Sequence, residues 1–159
     1  MQGVIKINSD ASVPKSSNVG LGGIMRDALG EVVAAMCLRV DGQFGADIAE
    51  ALAMRHALCI AIESGFRRVC VETDCLKLHS YVSKGNAPPT EFGSIVHDIL
   101  HIAKGCQSCS FTFVKRSGNR VAHELAKLAL SFDSLRVWLE EVPGCIAEFV
   151  LADLSPLSN

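Results

Sequence analysis

"VIKINSDASVPKSSNVGLGGIMRDALGEVVAAMCLRV", residues 4–40, decides the fold. In 4–10, Val4, Ile5 and Ile7 stand among polar neighbours, and two further strand-like runs, 21–27 and 31–40, flank the turn "ALG". Short apolar runs bounded by Gly, Asp and Asn read as strands, and close spacing across a turn makes them an antiparallel meander. Three strands therefore precede any helix. Residues 46–64, "ADIAEALAMRHALCIAIES", then place apolar side chains at helical spacing and stop at Gly65, where a C-terminal glycine belongs. A buried strand follows at 68–74, helices at 75–85 and 92–105, a strand at 109–116 and a helix at 119–131. The order βββαβα(α)βα predicts an α/β domain over 1–131: a mixed five-stranded sheet, three antiparallel strands then alternating helices and strands, with helices packed on it. Residues 132–159 have no clear pattern and are expected as a C-terminal appendage packed on, or trailing, the same domain.

Composition bounds what such a domain can do. A length of 159 residues with 49% apolar content suits one domain with a real core. The formal net charge of -2 provides no global field toward nucleic acid or an anionic membrane, so any nucleic-acid binding must come from local geometry. Seven cysteines, an odd number set mostly in apolar runs, fit reduced core thiols better than a disulfide framework and point to an intracellular, reducing compartment, nucleus or cytoplasm. No apolar run approaches a membrane span, and no basic-then-apolar leader opens the chain. Met1-Gln2-Gly3 runs straight into the first strand, which fits a stand-alone domain and a piece of a polyprotein equally.

Three carboxylates stand out by position. Asp10 ends the first strand, Glu50 sits in the first turn of the first long helix, and Asp74 ends the fourth strand. Each has a local reading. Asp10 can open a turn, Glu50 stands three residues after Asp47 in capping-box spacing, and Asp74 can cap the helix that begins at Cys75. Taken together they mean more: if the first and fourth strands are neighbours, both aspartates reach one rim of the sheet and the helix adds Glu50. Three converging carboxylates repel unless cations sit between them, and oxygen-only ligands select hard ions, Mg²⁺ or Mn²⁺.

The stretches "KINSDAS", "GLGGIMRDALGEVVAA", "AEALAMRHAL", "VCVETDC" and "GNRVAHELAK" resemble a ribonuclease H domain, most closely the plant branch related to the reverse-transcriptase-like domains of retroelements. With "VWLEEVP" they span nearly the whole chain. The resemblance implies a ribonuclease H-like fold and two divalent ions, Mg²⁺ or Mn²⁺, held with substrate by Asp10, Glu50 and Asp74. It further implies endonucleolytic hydrolysis of the RNA strand of an RNA/DNA hybrid, with double-stranded RNA as a further candidate substrate. Better-known members carry a fourth acid four positions after an asparagine like Asn119; here that position is His123. Neutral imidazole removes a negative charge, and three readings stay open: metal ligand, proton shuttle, or a histidine packed near a helix end on its buried side.

Substrate contacts are expected at Gly20, Gly22 and Gly23, where the family reading has the nucleic-acid backbone approach closely for minor-groove recognition of RNA. Lys115, Arg116, Asn119 and Arg120 are the candidates just before the His123 helix, with phosphates as the target of the cations. "NVGLGG" leads into a strand, not a helix N-terminus, so it is not a dinucleotide-binding loop. The basic, tryptophan-bearing protrusion of some relatives is lacking, since Trp138 is the one tryptophan, and weak, salt-sensitive binding is expected. "HDILH" (97–101) has two histidines at i and i+4 but Asp98 where a zinc protease needs its glutamate, and "CQSC" (106–109) has no second CxxC. The rival to an enzyme is a catalytically weakened or inactive ribonuclease H-like domain that binds nucleic acid or serves as a scaffold. An exonuclease of the same fold would show D-x-E on the first strand, where this chain has Asp10-Ala11-Ser12.

Overall fold

The computed structural model describes residues 3–15 and 18–154. The meander is β1 (Ile5–Ser12), β2 (Asn18–Arg26) and β3 (Val32–Asp41), followed by α1 (Ala46–Glu63), β4 (Arg68–Thr73), α2 (Leu76–Lys84), α3 (Glu91–Lys104), β5 (Ser108–Phe113), α4 (Arg120–Ala129), β6 (Arg136–Leu139) and α5 (Ala147–Leu154). All strands join one sheet of order β5-β4-β1-β2-β3-β6. The meander is antiparallel, and β4 runs parallel to both β1 and β5. The mixed α/β class is as expected, but the sheet has six strands, not five.

The sixth strand comes from the C-terminal segment. Residues 136–139 pair antiparallel with β3, setting Trp138 opposite Ala35, and Ile146 is buried against Val121, Leu125 and Ala129 of α4. Arg26 of β2 closes an ion pair with Asp153 at 2.8 Å. Residues 136–139 are thus part of the sheet, and Phe132, Trp138, Val142, Ile146, Phe149 and Val150 pack in a core shared with β2, β3 and α4, so the described part of the segment is packed on the domain. Residues 1–2 and 155–159 of the expected segments lie outside the described residues.

Two cores flank the sheet. On one face α1 lays a small-residue stripe, Ala49, Ala53, Ala57 and Ala61, against the strands, and the buried side chains of α3 complete the layer. Gly65, at φ 93°, ends α1 as expected: its N–H donates to Ile62 O while Phe66 N–H reaches back to Ala61 O. On the other face α4 buries Val121, Ala122, Leu125, Ala126 and Ala129, the stripe of an amphipathic helix. Its approach is unusually close. A Cβ on Gly22 would lie 2.4 Å from Ala126 N, and one on Gly20 would lie 2.0 Å from Ala126 O. Gly23 faces the other way, where a Cβ would meet Ala57 of α1 at 2.9 Å. Helices fill the space beside these three glycines, so the expected approach of a nucleic-acid backbone at Gly20, Gly22 and Gly23 gives way to packing of α4 and α1. That packing seats both helices directly over β1 and β2, and so aims α1 and α4 side chains at the end of β1.

Candidate metal centre

The strand register brings the two aspartates together. β1 pairs in parallel with β4 up to Asn8↔Glu72, so Asp10 and Asp74 lie two residues further along adjacent chains, at the rim of the sheet. Asp10 is inside β1, opposite Gly22, and 4% exposed; it does not open a turn. Asp74 precedes α2, whose N-cap position is Cys75, so it does not cap that helix. Glu50, one turn into α1, reaches across to accept the Ala11 N–H at 3.0 Å through Oε1. The capping-box reading fails, because the N-cap residue of α1 is Gly45 and Asp47 pairs with Lys77 at 3.0 Å.

Ligand atoms of Asp10, Glu50 and Asp74 lie within 4.8 Å of one another, the sole group of its kind among the described residues. Glu50 Oε2 is buried with no hydrogen-bond partner. Burial, then the close approach and charge of Asp10, then the charge of Asp74, push the Glu50 carboxyl far above its ordinary range, against the pull of the Ala11 N–H. Asp74 is raised too, by burial and by Asp10, with the Asn119 amide and the Arg116 charge opposing. One buried and two partly buried carboxylates in mutual repulsion, one with an oxygen that no protein donor reaches, are a donor set fitted to hard divalent cations.

His123 sits beside this group. Its Nδ1 lies 2.9 Å from Asp10 Oδ2, and its side chain is half exposed, so it faces the acids at the rim and not the buried side of α4. The acids and His123 line a cleft of about 440 Å³ together with Arg116 and Arg120. Arg120 also stacks its guanidinium on the Phe149 ring, 4.9 Å from the centroid, which holds the cation near the cleft mouth. Lys115 is exposed and does not line the cleft. Asn119 is 1% exposed and turned into the sheet, where its Nδ2 donates to Ser9 O at 2.9 Å, so it is not a surface contact for substrate. Its burial, and that of Asn8 beside it, escaped sequence reasoning; the available signal was a polar Asn8 at an inward strand position between Ile7 and Asp10.

The two side motifs stay outside this chemistry. His97 and His101 are exposed on α3, and Asp98 pairs with Arg55 at 2.7 Å. All seven cysteines are free; Cys37 is buried and Cys145 exposed, while burial raises the thiol pKa of both Cys106 and Cys109. No helix among the described residues is long and apolar enough to cross a membrane.

The sequence model of the reverse transcriptase-like family matches residues 8–129, which include all three acids and His123. No curated protein sequence matches the chain. Among solved structures, ribonuclease H1 from the halophilic archaeon Halobacterium salinarum is similar, with a TM-score of 0.75 at 21% identity, covering 80% of this chain and 98% of that one. The N-terminal ribonuclease H domain of a Mycobacterium tuberculosis protein gives 0.74 at 17% identity over 81% and 94%. A ribonuclease H1 isolated from compost by a metagenomic approach, solved in complex with an RNA/DNA hybrid, gives 0.70 at 21% identity over 80% and 99%. At these identities the likeness defines the fold, which is ribonuclease H-like.

Proposed function

The chain belongs to the reverse transcriptase-like family, and on that premise we propose that it is a divalent-metal-dependent endonuclease that hydrolyses the RNA strand of RNA/DNA hybrids. The observation that carries this reading is the meeting of Asp10, Glu50 and Asp74 within 4.8 Å, with an unpartnered Glu50 oxygen among them. Asp10, Glu50 and Asp74 would hold two ions, Mg²⁺ or Mn²⁺, in the presence of substrate. When bound, such ions supply Lewis acidity at both the attacking and the departing oxygen of a phosphodiester.

The remaining work falls to the side chains around the acids. Arg116 and Arg120, on the same cleft, bind and orient phosphates of the hybrid, with charge-assisted hydrogen bonds from their guanidinium groups. His123 donates from Nδ1 to Asp10, which fixes the ring and leaves Nε2 as the atom that takes or returns a proton. The same contact engages one Asp10 oxygen, and His123 stands where relatives offer a carboxylate. Ion affinity is accordingly lower than with four acids, and Mn²⁺, which accepts imidazole more readily, serves better than Mg²⁺.

That weakened donor set also favours one rival, a domain that binds hybrid or double-stranded RNA without turning it over. Incubating end-labelled RNA/DNA hybrid, double-stranded RNA and double-stranded DNA with Mg²⁺, Mn²⁺ or EDTA separates the two. The enzyme gives internal RNA cuts in the hybrid with either ion and none in EDTA. Binding that ignores EDTA, with no product at any metal concentration, decides for the rival.

A further inference from the structure

We propose that Asn119, braced by Asn8, is a positioning residue that sets the His123 imidazole against Asp10; the role assigned to those groups rests on the reading above. Asn119 occupies the N-cap position of α4, where an asparagine side chain ordinarily accepts from the N–H groups of its own first turn. Here it makes no such bond. The amide instead turns into the sheet: Nδ2 donates to Ser9 O at 2.9 Å, one residue before Asp10, and Oδ1 accepts from Asn8 Nδ2 at 3.2 Å. Asn8 Nδ2 also donates to Glu72 Oε1 at 2.9 Å, two residues before Asp74. One side chain therefore ties the start of α4 to β1 and, through Asn8, to β4, the two strands that carry the aspartates.

The helix end of this joint leads to His123. Asn119 O accepts the His123 N–H at 3.1 Å, and the imidazole meets Asp10 at 2.9 Å. The chain Ser9 O, Asn119, His123, Asp10 is thus a closed loop of hydrogen bonds between neighbouring residues of β1 and one turn of α4. A slide of α4 by about 1 Å would carry a 2.9 Å hydrogen bond out of range. Apolar packing of Val121 and Leu125 fixes how close α4 lies to the sheet, but packing is non-directional and leaves sliding along the helix axis weakly specified. Burying two amides costs stability unless they are bonded; both Asn119 amide atoms and Asn8 Nδ2 find partners while Asn8 Oδ1 has none, so the bonds that are made carry the geometric specification. Asn8 and Asn119, at 0% and 1% exposure, fit that use.

The test needs a control that loosens α4 without touching the joint. In the full chain labelled with ¹⁵N histidine, the imidazole spectrum of His123 reports its bond to Asp10 without any metal or substrate. Asn119→Leu, which keeps volume and removes both polar ties, should shift the His123 resonances toward those of a free imidazole. Val121→Ala should lower the melting temperature yet leave them in place. In hybrid cleavage Asn119→Leu should lower kcat by about 10- to 100-fold with little change in KM, the pattern of misplaced groups rather than lost substrate binding. If Asn119→Leu does not fold, Asn8→Leu, which removes the brace alone, should give the same shift at smaller amplitude. An unchanged His123 spectrum in a folded variant, or an equal shift in Val121→Ala, overturns the proposal. If the wild type cuts no hybrid, the functional reading fails while the imidazole spectra still decide the role of Asn119.

Discussion

Glu50→Gln should stabilise the metal-free protein and remove its response to divalent ions. The Glu50 carboxyl is pushed from its ordinary 4.5 up to about 10 by burial, by the close approach and charge of Asp10 and by the charge of Asp74. Because the folded state keeps a proton that the unfolded chain releases, stability is full below about pH 4.5 and declines as pH rises toward the raised value. At roughly 1.4 kcal/mol per pH unit, the fall from pH 4.5 to about pH 8 has an upper bound near 5 kcal/mol. The Glu50 carboxyl lies in a cleft that admits water, so about 1–3 kcal/mol is the expected loss. Glutamine is neutral and keeps an oxygen for the Ala11 N–H, the bond seen at 3.0 Å. The variant should therefore melt about 3–10 °C above wild type near pH 8, and the two should converge near pH 5. Mg²⁺ at about ten times its dissociation constant should stabilise wild type by about 1.4 kcal/mol and the variant by much less. Denaturant and thermal melts of both proteins at the two pH values, with Mg²⁺ or EDTA, supply every quantity. Equal pH slopes and equal Mg²⁺ stabilisation in the two proteins would refute the reasoning.

Other substitutions test other links. Gly22→Ala places a methyl group 2.4 Å from Ala126 N and 2.5 Å from Ala122 O, so α4 must move, and chemical denaturation should show a loss of about 2–4 kcal/mol. Gly45→Ala, where the added methyl group meets nothing within 4 Å, should cost under about 1 kcal/mol in the same assay. Arg120→Ala should raise the KM for hybrid by about 3- to 10-fold at unchanged kcat and flatten its dependence on salt, read from initial rates across a salt series. His123→Asp should restore a fourth carboxylate and shift the metal profile from Mn²⁺ toward Mg²⁺, whereas His123→Ala should slow cleavage by about 10- to 100-fold. Rates against each ion for the three proteins check both, and identical metal profiles would place His123 outside the site.

The parts of this protein that were legible in its sequence are those written by periodicity. The meander showed itself through alternation around Ile5 and Ile7 and through the turn before Glu31, and α1 through its apolar spacing and the Gly65 stop. β6 did not, because four residues, Arg136 to Leu139, are too few to establish a period, and three of them are exposed. Asp10, Glu50 and Asp74 were legible as candidates because the sequence pattern put each at or near an element end, although Asp10 lies inside β1. Their convergence depended on one pairing, β1 beside β4, which no local signal encodes. The glycines misled because glycine signals close approach without saying what approaches; at Gly20 and Gly22 it is the backbone of α4. Lys115 and Arg116 are adjacent in sequence, yet the 3₁₀ turn over Arg116–Gly118 separates them, and only Arg116 lines the cleft. Asn119 read as a substrate contact, since the partner that claims its side chain, Ser9, lies 110 residues away.

The most direct test of the account is the cleavage rate of a labelled RNA/DNA hybrid by wild type and by Asp10→Asn, each cleared of contaminating nuclease and shown by melting to be folded, with Mn²⁺ and with Mg²⁺. Asparagine keeps the shape of Asp10 and removes the charge that faces Glu50, Asp74 and His123. Wild type should cut the RNA strand internally in a metal-dependent way, and the variant should be slower by at least about 100-fold while melting at or above the wild-type temperature in EDTA. Equal cleavage by the two proteins, or no cleavage by wild type with either ion, would contradict a metal-dependent nuclease centred on Asp10.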